Sequence, residues 1–150
     1  MTRSTVRELA VLLCYTSEIN KDNAEEIICN YFEEGHNAEL KDEIPELAEK
    51  PSQKQMDYLK ELVCGVCDKK EELNSEIDEI SLGWKTGRLS KTALAVLQCA
   101  FYEIMYMPDV PAGVSASEAV LIAKKYEDPE TVAFINGIIG SFIKKQNADR

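Results

Sequence analysis

The sequence holds a single histidine, His36. General acid–base catalysis has little to work with on that footing. A helical di-metal carboxylate site needs Glu-x-x-His motifs on two helices, and none exists. Glycine and proline are sparse, seven and five in 150 residues. Long stretches contain neither, which excludes a sandwich of short strands and turns and favours helices. No run of 18 residues is free of polar side chains, so no segment has the composition of a membrane span. After Met1-Thr2-Arg3-Ser4 there is no apolar leader with a small-residue cleavage site. The five cysteines are an odd number without framework spacing, the pattern of reduced thiols. A cytoplasmic location is the expectation. A glycine-rich phosphate loop, a nucleophile elbow and a Cys–His pairing are all missing. The chain is therefore expected not to be an enzyme and to hold no cofactor or metal.

What is present is apolar and acidic. Hydrophobic residues make up 45% of the chain, enough for a sizeable core in one domain. The net charge is −10. Its distribution is uneven: from Glu18 to Lys50 eleven acids face three bases, whereas residues 1–17 carry Arg3, Arg7 and only Glu8. From Ile80 to Tyr102 there is no acid, but Lys85, Arg88 and Lys91 are present. A general nucleic-acid binder is disfavoured by the total, and a locally basic surface is allowed by the distribution.

The apolar spacing predicts six or seven helices in one compact all-α domain, with an N-terminal helical half over 1–82 and a C-terminal half over 83–150. A first helix runs from Ser4 to Glu18, capped by Ser4 or Thr5, with Val6, Leu9, Ala10 and Leu13 on its inner face. If it reaches back far enough, Arg3 and Arg7 point the same way. A second runs from Asn23, its cap, to Glu34, with Gly35 as its stop. A long connection follows, with a helical turn near Pro45–Ala48. Ser52 and Gln55 form a capping box for a third helix, and Leu73, Ile77 and Ile80 extend its pattern to Ser81. Ser90 caps a helix apolar nearly all round, which marks it as central. Ser115 or Ser117 caps the next, through Tyr126. Asp128-Pro129-Glu130 opens the last. Ala133, Gly137 and Gly140 form a small-residue strip there, read as a seat for a close helix partner.

Cys64-Gly65-Val66-Cys67 is a CxxC inside a predicted helix and is read as core thiols rather than a redox or zinc pair. The paired acids Glu25/Glu26, Glu71/Glu72 and Asp78/Glu79 are read as solvated faces. His36 is read as a surface loop residue. The basic set Arg3, Arg7, Lys85, Arg88 and Lys91 is either a small phosphate-contacting patch or five ordinary surface cations. Tyr15 either stacks on a base or is a half-buried aromatic. Trp84 has the same two readings.

Five segments in order carry a resemblance. They are Arg7-Glu8-Leu9-Ala10-Val11 with Tyr15; Tyr58-Leu59 through Gly65-Val66, then Ile77-Asp78; Trp84 with Arg88-Leu89-Ser90, leading to Ala100-Phe101-Tyr102-Glu103-Ile104; Asp109-Val110-Pro111 to Ala123-Lys124-Lys125-Tyr126; and Phe134-Ile135-Asn136-Gly137-Ile138-Ile139. Together they resemble the NusB family over nearly the whole chain. The resemblance implies two packed three-helix bundles and a non-catalytic role in transcription antitermination. It implies binding to the boxA element of ribosomal RNA leader transcripts together with NusE, in an assembly that keeps RNA polymerase elongating. RNA contacts in the family come from an arginine-rich N-terminal stretch and from the starts of the central and last helices. Carried onto this sequence, Arg3, Arg7, Tyr15 and Lys91 are the expected RNA-binding residues. The chain departs from the family at Ala93, Leu94, Gln98, Ser117, Val132 and Ala133, where charged or polar residues, or Asn at Ser117, are usual. A divergent protein-interaction module that has lost RNA recognition is the alternative. The same fold precedes a catalytic domain in some ribosomal RNA cytosine methyltransferases, but no cofactor-binding βαβ pattern is present here.

Overall fold

The computed structural model describes residues 1–33, 45–81 and 89–148. His36, Trp84, Lys85 and Arg88 lie outside the described residues, as does the expected Gly35 helix stop. Among the described residues there are seven α-helices, one 3₁₀ turn and no strand, so the all-α expectation holds. No described helix is long and apolar enough to cross a membrane. The chain separates into two compact units, Met1–Asp68 and Lys69–Arg150.

The first unit contains α1 (Arg3–Asn20), α2 (Ala24–Phe32), the 3₁₀ turn Pro45–Ala48 and α3 (Gln53–Asp68). Helix α1 starts one residue earlier than its spacing suggests, because Thr2 rather than Ser4 or Thr5 is the cap. The Thr2 hydroxyl accepts from the Thr5 amide at 3.1 Å. It stops at Lys21, which adopts a left-handed conformation (φ 59°) and donates its amide to the Ser17 carbonyl at 2.9 Å. Asn23 caps α2 through the Glu26 amide at 2.9 Å. The capping box is reciprocal: the Ser52 amide donates to Gln55 Oε1 at 2.9 Å, and the Gln55 amide donates to Ser52 Oγ at 3.2 Å. Helix α1 packs on α3, and Val6, Leu9 and Ala10 of the first and Leu59, Leu62 and Val63 of the second are all fully buried. Ile27, Ile28 and Tyr31 of α2 and Leu47 of the turn complete the core.

The second unit contains α4 (Lys70–Ser81), α5 (Lys91–Tyr106), α6 (Ala112–Tyr126) and α7 (Pro129–Ala148). Periodicity suggests one helix from Ser52 to Ser81; the structure breaks it at Lys69. Val66 and Leu73 are one heptad apart, so the apolar pattern stays in phase and cannot register the break. The two pieces serve different cores: α3 packs on α1 and α2, and α4 packs on α5 and α7. Ser90 caps α5, accepting from the Ala93 amide at 3.0 Å. Residues 93–101 of α5 are all buried, which makes it the central helix of this unit. Its Phe101 stacks on Phe142 of α7, with ring centroids 3.9 Å apart. Polar ties hold α4 in place. Tyr106 Oη donates to Glu72 at 2.6 Å, and Lys145 reaches Glu76 at 2.8 Å and Glu79 at 3.1 Å.

Two sequence expectations are corrected here. Helix α6 begins directly after Pro111 with no side-chain cap, instead of at Ser115 or Ser117. Ser115 is buried and its hydroxyl serves Glu103. Among the described residues, no helix packs on the strip of Ala133, Gly137 and Gly140. Ala133 and Gly137 are exposed, and a Cβ added at either glycine meets nothing within 4 Å.

Candidate nucleic-acid interface

The start of α1 gathers two of the four expected site residues. Because the helix begins at Arg3, Arg3 and Arg7 are one turn apart on one side. Both guanidiniums lie over the ring of Tyr58 on α3, Arg3 at 4.5 Å and Arg7 at 5.6 Å from its centroid. These distances are within reach of a cation–π attraction. The two arginines are not equivalent. Arg3 is exposed, whereas Arg7 is only 3% exposed and its ring partner Tyr58 5%. A phosphate can approach the first, while the second is part of the α1–α3 packing. The backbone around Arg3 is pinned. Gln55 Nε2 donates to the Met1 carbonyl, and the Met1 ammonium pairs with Glu49. That ammonium holds the Glu49 carboxyl below its ordinary range, by hydrogen bond and by charge.

Tyr15 is on the same helix but not in this cluster. Eight residues separate it from Arg7, about 12 Å along the axis and roughly 80° around it. It is 37% exposed and has its neighbour one turn on, Ile19, at 52%. Tyr15 thus lies on a partly apolar face of its own.

Lys91 belongs to the second unit, as the exposed first residue of α5. Its surroundings are acidic. The recess beside it is lined by Leu89, Ser90, Glu127, Asp128, Glu130, Thr131 and Phe134. Ser90 Oγ donates to Glu127 at 2.5 Å. Asp128 accepts the Thr131 amide at 2.7 Å, and this bond holds its carboxyl below the usual carboxylate range. A phosphate at the start of α5 or α7 would face these three carboxylates.

The departures from the family pattern have structural counterparts. Ala93 and Leu94 are in the core. Gln98 is 3% exposed and donates to Asn74 Oδ1 at 2.8 Å, tying α5 to α4. It serves the interior of this unit. In the sequence Tyr58 carries only the family resemblance, and nothing in its spacing indicates that two arginines share its ring. The cysteines of the CxxC are half-buried and unbridged, and burial raises the Cys64 thiol. Cys67 Sγ lies 3.4 Å from Ser17 Oγ. A raised thiol is a poor nucleophile and a poor metal ligand at neutral pH.

Residues 4–144 match the model of the NusB family. The chain is 38% identical over 144 residues to the transcription antitermination protein NusB of Acetivibrio thermocellus, covering 96% of this chain and 90% of that protein. It is 37% identical over 145 residues to that of Clostridium novyi, covering 96% and 99%. Among solved structures it resembles T. maritima NusB with a TM-score of 0.80 at 22% identity, over 96% of this chain and 92% of that one. It also resembles a chain in the crystal structure of the antitermination factors NusB and NusE in complex with double-stranded RNA, with a TM-score of 0.73 at 23% identity, over 97% and 99%. The structural likenesses show the fold, and the sequence matches run nearly end to end: this chain belongs to the NusB family.

Proposed function

We propose that this chain is a non-enzymatic transcription antitermination factor that works in the cytoplasm. On this reading it binds boxA-type RNA of ribosomal leader transcripts together with NusE and so acts on the RNA polymerase elongation complex. Family membership over nearly the whole chain supports the role. The shared fold of the NusB–NusE–RNA complex supports the pair of partners. The observation that carries the RNA part is the exposed Arg3 held at the start of α1 by the ring of Tyr58.

Arg3 supplies an edge of donors for phosphate, Tyr15 a ring for a base, and Lys91 a more weakly placed cation. Arg7 contributes through the packing that presents Arg3. With Arg3 and Lys91 as the described cations, about two phosphate contacts, the logarithm of the affinity for single-stranded RNA falls with that of salt at a slope of about −1.4. The affinity without NusE is therefore modest, and much of the specificity falls to the complex. The test is fluorescence anisotropy with a labelled boxA RNA, with and without NusE, at two salt concentrations. Binding that tightens with NusE and weakens with salt is expected. No binding at low salt in the presence of NusE overturns the reading and leaves a protein-interaction module.

A further inference from the structure

We propose that Tyr58 is a positioning residue of the RNA interface, holding the Arg3 guanidinium in the orientation that meets a phosphate; this inference rests on the RNA reading above. The argument starts from the chemistry of guanidinium. It is planar, with a face that stacks and an edge that donates hydrogen bonds. Stacking on an aromatic ring consumes the face and leaves the edge available. A carboxylate partner would consume the edge instead. Arg3 is 4.5 Å from the Tyr58 centroid, and among the described residues no carboxylate pairs with it. Its charge thus sits over the ring, and no described carboxylate neutralises it.

The ring itself cannot drift. Tyr58 is 5% exposed, on the α3 face that packs against α1. Arg7 lies over the same ring at 5.6 Å and is buried at 3%. The Gln55 side chain ties the Met1 carbonyl to the first turn of α3. Both ends of the Arg3–Tyr58 contact therefore sit on fixed backbone. An unrestrained arginine loses rotamer freedom when it takes a phosphate; one already held over a ring loses less. Preorganisation of this kind lets a chain with few cations retain affinity.

The test is a double-mutant cycle read by anisotropy with labelled boxA RNA and NusE. Tyr58→Leu should weaken binding by about two- to fivefold, the equivalent of one exposed cation–π contact. Tyr58→Phe keeps the ring and should bind like the wild type. In an Arg3→Ala background, Tyr58→Leu should have no further effect, because its action passes through Arg3. Thermal melts of each variant monitor packing. An undiminished affinity for Tyr58→Leu overturns the inference. So does an equal loss with and without Arg3, which is what a purely structural role produces. If the wild-type protein binds no RNA, the RNA reading fails first and takes this inference with it.

Discussion

The Ser115 hydroxyl donates to Glu103 Oε2 at 3.0 Å, and both residues are 1% exposed. This bond joins α5 to α6 and supplies a donor to a carboxylate shut away from water. Removing one partner of such a bond costs more than the bond is worth, because the other partner stays buried. Ser115→Ala should destabilise the protein by about 1–3 kcal/mol. That corresponds to a fall in melting temperature of about 2–4 °C per kcal/mol. An unchanged melting curve would show that the contact carries nothing.

The two arginines over Tyr58 should separate in mutants. Arg7→Ala removes a buried stem and one of the stacked cations, so stability should fall by about 1–3 kcal/mol. Arg3→Ala should leave the melting temperature within about 1–2 °C, as expected for an exposed side chain. It should instead flatten the salt slope of RNA binding by about 0.7. Melts and salt titrations on the two variants decide it. Equal loss of stability in both would mean that Arg3 is structural too.

Gly137 and Gly140 lie in the interior of α7 with open space where a Cβ would go. Alanine at either position should stabilise the protein by about 0.5–1 kcal/mol. Urea unfolding measures this directly. Destabilisation would mean that another body packs there in solution.

Asp128 accepts the Thr131 amide at the start of α7, and its folded carboxyl lies below the ordinary value of 3.8. A depressed acid stabilises the folded state above its unfolded pKa and loses that contribution as pH falls through the folded one. The wild type should therefore melt above Asp128→Asn at pH 7. The gap should close as the pH is lowered below about 4. A gap that persists at pH 2 would assign the effect to the amide's fit rather than to charge.

The expectations that held rest on local rules. The Ser52–Gln55 box, the Asn23 and Ser90 caps and the turn at Pro45–Ala48 each involve residues three or four apart. Their chemistry is complete within one turn of chain. Where sequence reasoning strayed, the deciding partner was distant. Ser115 reads as a cap until Glu103 claims its hydroxyl. The glycine strip reads as a packing seat until α7 turns it to solvent.

Spacing, capping and composition alone determined that this chain is helical and where most helices start, because those signals are short-range; the family resemblance came from segments matched in order along the whole sequence. The tertiary structure decided which of the first helix's cations is open to solvent. Arg3 and Arg7 look alike in sequence; one is exposed and the other is sealed against α3. The difference comes from Tyr58, 51 residues beyond Arg7, and only the packing of α1 on α3 puts the ring beneath both.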